Sequence, residues 1–215
     1  MKVLIFGATG MVGQGVLREC LLDPGVSQVV ALVRKPSGQA HSKLREVVHR
    51  DFFDYRVVEP ELTGLDACFF CLGVSAAGLS EAEYRRLTHD LTLAAAETLA
   101  RLNPAMTFVY VSGAGTDSTE QGRTMWARVK GRTENALRRQ PLHGIRSRTG
   151  WYQAAYTLMK PAFPLLRWLF PKAILTTEGL GRAMLRVARD GAPTAILEAA
   201  DLIALGASPA RAAAP

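Results

Sequence analysis

Cysteine is scarce in this chain: Cys20, Cys68 and Cys71 are the only three among 215 residues. Three thiols do not make a disulfide framework, and they fit a reducing, cytoplasmic setting. Cys68-Phe69-Phe70-Cys71 is formally a C-x-x-C, but it lies in an apolar strand-like run, where residues three apart point to opposite faces. The pattern speaks against metal or redox work and for small core residues. Histidine is equally sparse, and His41, His49, His89 and His143 show no metal-ligand spacing. No uninterrupted apolar run reaches the roughly 18 residues of a spanning helix. The first apolar run breaks at Gly7, too soon for a secretory signal. With 48% hydrophobic and 21% charged residues, the composition is that of a globular chain rather than a disordered one.

What the sequence does have begins at its first turn, Gly7-Ala8-Thr9-Gly10-Met11-Val12-Gly13. The turn joins the apolar run Val3–Phe6, of strand length, to Val16–Leu22, whose apolar residues recur at helical spacing. Gly7 permits a tight turn, Gly10 lets backbone N–H groups approach a pyrophosphate, and Gly13 lets the helix pack against the strand. The helix N-terminus adds unpaired donors and a positive dipole end. Thr9, Met11 and Val12 complete this dinucleotide-binding turn.

Strands and helices then alternate. Strands are predicted at 29–33, 46–49, 67–72 and 107–111, and helices at 81–102, with Ser80 as N-cap, and at 122–139. Such alternation implies an α/β fold, a doubly wound parallel sheet with right-handed crossovers. After Arg139 the pattern changes, because residues 140–150 are polar, basic and turn-rich where a sixth apolar strand is due. The reading is therefore five parallel strands, the sixth missing or replaced by a short strand at 194–198. Residues 1–140 form the dinucleotide-binding core and 141–215 a small helical extension packed on it. In that extension a helix is predicted at 151–159 and another at 178–189, and the alanine-rich end is expected to fray. The proline-broken apolar stretch 161–171 reads as a core segment, an oligomer contact or a membrane-surface contact.

In a doubly wound sheet the ligand crevice lies at the carboxyl ends of the strands. At the end of strand two stand Arg34 and Lys35, where an NAD enzyme commonly has a carboxylate. A guanidinium bonds a 2′-phosphate that a carboxylate would repel, so NADP(H) is favoured over NAD(H). Asp51, with Phe52 after it, follows strand three and is placed to accept from the adenine amino group, or only to cap its turn. Cys71, Leu72 and Gly73 pass along the adenosine side. Ser112 ends strand five, and Lys130 lies on the next helix. Basic residues outnumber acidic ones by 26 to 19, for a formal charge of +7, and thicken between Arg123 and Arg148. No nucleic-acid motif accompanies them, so a phosphate-bearing cofactor and a solvated face account for the charge without a nucleic-acid partner.

These residues resemble the short-chain dehydrogenase/reductase superfamily. The wording Val111–Gly115 and Val129–Glu134 is similar to its atypical, extended-like branch of NAD(P)-binding, epimerase/dehydratase-like proteins, near the Tat-interacting-protein-like oxidoreductases. The resemblance implies an oxidoreductase acting on a small carbonyl or alcohol, with Ser112 polarising the carbonyl and Lys130 holding the nicotinamide ribose. It also implies a tyrosine four residues before the lysine. Trp126 stands there, and an indole N–H cannot trade a proton with a substrate. An enzyme and a non-catalytic NADP(H)-dependent binding protein both remain open at this point.

Overall fold

The computed structural model describes residues 1–141, 143–149, 175–192 and 194–207, with 143–149 described by backbone alone. The expected doubly wound fold is there. Strands β1 (Lys2–Phe6), β2 (Gln28–Val33), β3 (Leu44–Val48), β4 (Ala67–Phe70) and β5 (Thr107–Gly113) lie parallel in the order β3-β2-β1-β4-β5. Helix α1 (Met11–Leu22) follows β1, and α4 (Met125–Leu137) follows β5. The long helix expected over 81–102 is continuous but not uniform. It comprises α2 (Glu81–Arg85), a π turn (Arg86–Asp90) and α3 (Leu91–Leu102). Ser80 caps it as expected, in a capping box with Glu83.

The sheet does not stop at five strands. β6 (His143–Thr149) pairs with β5 in parallel along its whole length, from Thr107↔His143 to Gly113↔Thr149. The strand expected to be missing is therefore present. The short strand expected at 194–198 is β7 (Ile196–Leu197), added outside β6 rather than in its place. β7 pairs with β6 only at Arg146 and Ser147, so β6 runs close to the sheet edge. A continuous apolar run marks a strand buried on both faces, and a near-edge strand is free of that demand. Helix α5 (Thr177–Asp190) matches the helix expected at 178–189. Part of the alanine-rich end expected to fray is instead helix α6 (Ala199–Ala207). The helix expected at 151–159 and the apolar stretch 161–171 lie outside the described residues. Among the described residues, no helix is long and apolar enough to cross a membrane.

Two cores flank the sheet. Val3, Ile5, Ala67 and Phe69 face a layer of α1, α5 and α6 residues that includes Val16, Cys20, Leu180, Met184 and Leu202. Leu4, Phe6, Cys68 and Phe70 face α3, the end of α4 and the 3₁₀ segment Arg56–Leu62. Cys71 packs against the first core and Cys68 lies in the second, so the C-x-x-C pair is split across the sheet as its spacing requires. On the first side glycines let the helices approach closely. A Cβ on Gly15 of α1 would lie 2.4 Å from the Thr177 Cβ. One on Gly206 of α6 would lie 2.4 Å from the Gly179 carbonyl oxygen. Glu19 of α1, buried in this seam, accepts from Arg18 at 2.7 Å and from Arg182 of α5 at 3.3 Å.

Candidate functional site

Sheet register sets one level for the carboxyl edge. Phe6 pairs with Leu32 of β2 and Phe70 of β4, and Phe70 pairs with Tyr110 of β5. Two residues further along these strands come Ala8, Arg34, Leu72 and Ser112. The predicted glycine turn, basic pair, adenosine-side segment and serine thus converge on one edge.

The turn is built around two glycines that tolerate no side chain. Gly7 has φ of 75°, and a Cβ on it would lie 2.9 Å from the backbone of Cys71. A Cβ on Gly13 would lie 2.0 Å from the Gly7 carbonyl oxygen. Gly10 N–H donates to that same oxygen at 2.9 Å, closing the turn. Gly10 is also the N-cap of α1 and offers no side-chain cap, so the first-turn amides of Met11, Val12 and Gly13 have no acceptor among the described residues. Thr9, Gly10 and Met11 are exposed. Uncapped amides at a solvent-open helix start fit a pyrophosphate.

Arg34 and Lys35 are exposed beside this turn, and neither is ion-paired with a described residue. The loop beyond them folds back, Ser37 N–H donating to Glu46 of β3 at 3.1 Å. Asp51 is exposed, and its Oδ1 accepts from Phe53 N–H at 3.0 Å, so one carboxylate oxygen closes the local turn. Phe52 is buried edge-on to Phe6, ring centroids 6.0 Å apart, which leaves only its backbone to meet a ligand. Cys71 and Leu72 are half-buried, and burial pushes the Cys71 thiol up to about 12. It is neutral at physiological pH and no nucleophile. Gly73 is exposed, and a Cβ there would meet nothing within 4 Å.

On the other side of the edge, Ser112 is 3% exposed, with its Oγ 3.1 Å from Thr116 Oγ1. Thr116 Oγ1 in turn donates to the Gly113 carbonyl at 2.6 Å, which fixes the hydroxyl pair. Trp126 and Lys130 are one turn apart on α4 and both face the end of β5. A Cβ on Gly113 would lie 3.4 Å from the Trp126 ring and 3.7 Å from the Lys130 stem. The Lys130 ammonium sits 5.5 Å above the centre of the Tyr110 ring. Burial pulls the Lys130 pKa below its ordinary value of 10.5, against the opposing charges of Tyr84 and Glu134. Trp126 therefore occupies the place the resemblance assigns to tyrosine, beside the lysine, with no acid–base group of its own.

A family model described as NAD(P)H-binding matches residues 7–160. The chain belongs to the NAD(P)H-binding family. Among curated proteins, this NAD(P)H-binding chain is 30% identical over 144 residues to "Protein fmp52, mitochondrial" of Emericella nidulans, covering 64% of the chain and 60% of that protein. It is 34% identical over 94 residues to D-lysergyl-peptide-synthetase subunit 3 of Claviceps purpurea, covering 42% of the chain and 6% of that protein. Among solved structures, an oxidoreductase of the short-chain dehydrogenase/reductase family from Burkholderia thailandensis superposes with a TM-score of 0.66 at 18% identity, covering 94% of the chain and 92% of its own. The Bordetella bronchiseptica enzyme WbmF, in complex with NAD+, superposes with a TM-score of 0.64 at 16% identity, covering 94% of the chain and 76% of its own. The NAD(P)-binding resemblance and the doubly wound α/β fold read from the sequence are borne out.

Two residues of the NAD(P)H-binding chain, Thr116 and Glu134, escape a reading of its sequence. Thr116, partner of Ser112, carries only the signal of a hydroxyl four residues on. Asp117 organises the loop beyond it, accepting from Thr119 N–H at 3.0 Å and Gly122 N–H at 2.6 Å. Glu134, 0% exposed, reads in the sequence as an ordinary helix-surface glutamate. Two of the histidines are held by local bonds. His49 bonds the Asp54 carbonyl at 2.8 Å, and His89 bonds Asp90 at 2.7 Å. No group of described residues could hold a metal ion.

Proposed function

We propose that this chain binds NADP(H) in preference to NAD(H) and acts as an oxidoreductase of the atypical short-chain dehydrogenase type on a small carbonyl or alcohol. The observation that carries this reading is the single carboxyl edge shared by the glycine turn, Arg34, Ser112 and Lys130. The nicotinamide dinucleotide supplies hydride transfer when bound. The amides of Met11, Val12 and Gly13 hold its pyrophosphate, and Arg34 with Lys35 holds the 2′-phosphate. Lys130 bonds the nicotinamide ribose. Ser112 turns its single hydroxyl proton from Thr116 to the carbonyl oxygen and polarises it. Trp126 takes no part in the proton transfer, which falls to water or another group.

The test is a side-by-side titration with NADPH and NADH, repeated with Arg34→Glu. Tighter NADPH binding that the variant loses supports the reading. No binding of either nucleotide by the folded protein overturns it. The Burkholderia relative is named an oxidoreductase and the Bordetella enzyme was solved with NAD+, so the preference for NADP(H) rests on Arg34 and Lys35 alone. The cytoplasmic setting belongs to the same reading and rests on three free thiols, two of them buried. Subcellular fractionation checks it, with mitochondria as the alternative that the name of the Emericella relative raises.

A second reading, an NADP(H)-dependent binding protein without turnover, is favoured by Trp126. Trp126→Tyr separates the two. NADPH-dependent carbonyl reduction gained by this variant shows the pocket otherwise competent, whereas an inert variant that still binds NADPH favours the second reading.

A further inference from the structure

Side chains of β3 alternate between the α1 side of the sheet and the opposite side. Glu46 and Val48 pair in register with Ala31 and Val33, which belong to the core under α1. Val47 belongs to the opposite core, and the His49 ring lies against Phe52 and Tyr55 there, centroids 6.0 and 5.6 Å apart. His49 N–H still donates to the Val33 carbonyl at 2.9 Å, so β3 stays beside β2 past its last paired residue. Alternation then assigns the next side chain, Arg50, to the α1 side. Carrying the register on by two residues sets Arg50 opposite Lys35, one strand spacing of about 4.8 Å away. Arg50 is exposed, and Val48, two residues earlier on the same side, is 49% exposed, so the ledge leading to Arg50 is open. Arg34, Lys35 and Arg50 thus leave two adjoining strand ends at the carboxyl edge, all three exposed.

The carboxylates close to this edge are engaged elsewhere. Ser37 N–H donates to Glu46 at 3.1 Å, Phe53 N–H to Asp51 at 3.0 Å and Arg56 Nε to Asp54 at 3.0 Å. Other cations of the region are paired, Arg45 with Glu61 and Arg56 with Asp54. Like charges on neighbouring strand ends repel, and an anion seated between them turns that repulsion into attraction. A phosphate monoester suits the place, with nearly two negative charges at neutral pH and three acceptor oxygens. One guanidinium fork takes two of those oxygens and leaves the third for another donor. A ribose hydroxyl carries no charge and gains little from a second arginine. We propose that Arg50 is a third ligand of the ribose 2′-phosphate, and hence a specificity-determining residue for NADP(H) over NAD(H). The inference rests on the reading in which Arg34 and Lys35 receive that phosphate. It brings β3 into a subsite otherwise built on the end of β2.

The experiment is a calorimetric titration of the full chain with NADPH and with NADH, comparing the native protein with Arg50→Ala, Arg50→Lys and Arg34→Glu. In Arg50→Ala the NADPH affinity falls about tenfold, while the NADH affinity is unchanged. Arg50→Lys keeps the charge but loses the fork, and recovers part of the loss. Adenosine 2′,5′-bisphosphate, which carries the 2′-phosphate without the nicotinamide half, weakens in Arg50→Ala by the same factor as NADPH. Because Arg50 is exposed, the variants keep the native midpoint in chemical denaturation. An Arg50→Ala protein that weakens NADPH and NADH equally, or neither, overturns the proposal. The Arg34→Glu arm separates the two failures. A preference for NADPH that Arg34→Glu removes and Arg50→Ala leaves whole refutes the role of Arg50 alone. A folded native chain that binds neither nucleotide, or both alike, refutes the reading on which that role rests.

Discussion

At the scale of single residues, the glycines of the site divide by what lies beside them. Gly13→Ala forces a methyl to within 2.0 Å of the Gly7 carbonyl oxygen and must move the turn. A loss of at least about 2 kcal/mol in chemical denaturation is expected, with nucleotide binding abolished. Gly73→Ala meets nothing, and stability should stay within about 0.5 kcal/mol of the native protein. Equal losses for the two would refute the geometry of the turn. Gly7, Gly10 and Gly13 were legible in the sequence because their spacing between a strand and a helix encodes a local conformation. Glu134 was not, because its burial comes from the sheet it rests on, and a helix shows only that it lies four residues beyond Lys130. Ser112 lies between these cases. Its place at a strand end could be read, but its partner Thr116 depends on how the following turn closes.

At the scale of elements, strands buried on both faces declared themselves. Val29–Val33 and Ala67–Phe70 are apolar runs because neither face meets water. β6 did not, since its sequence, His143-Gly144-Ile145-Arg146-Ser147-Arg148-Thr149, meets the demands of a near-edge strand, which no apolar run announces. The π turn at Arg86–Asp90 was equally silent, because it widens one turn without ending the helix, and no glycine or proline marks the place. Between α1 and α5, Asp23 at the end of α1 is paired with Arg189. Burial works against the Asp23 carboxylate, but the hydrogen bonds from Arg189 and Gly25 N–H hold it below its ordinary value of 3.8. A depressed carboxylate stabilises the fold above that value, and the contribution disappears as pH falls through the lowered one. Asp23→Asn is therefore expected to lower stability by up to about 1 kcal/mol at pH 7. The gap between native and variant melting temperatures should close below about pH 4, and a gap independent of pH would refute the pairing.

At the scale of the whole molecule, a nucleotide that binds only the folded state raises its stability by mass action. NADPH at about 100 times its dissociation constant should add about 2.7 kcal/mol and shift the melting temperature by several degrees. A smaller shift with NADH at equal concentration would mark the preference, and Arg34→Glu should level the two. In the proposed binding mode this stabilisation spreads from α1, whose amino end carries the glycine turn and whose middle is covered by α5 at Gly15 and Gly181. That seam has a consequence in time. A growing chain has the glycine turn and α1 complete at Leu22, yet the helix that covers α1 ends at Asp190. Through most of synthesis the apolar side of α1, including Val16, Leu17 and Leu21, has no α5 to meet. Folding of this layer therefore waits on α5, and a chain that still lacks it is the form most exposed to aggregation and most in need of a chaperone.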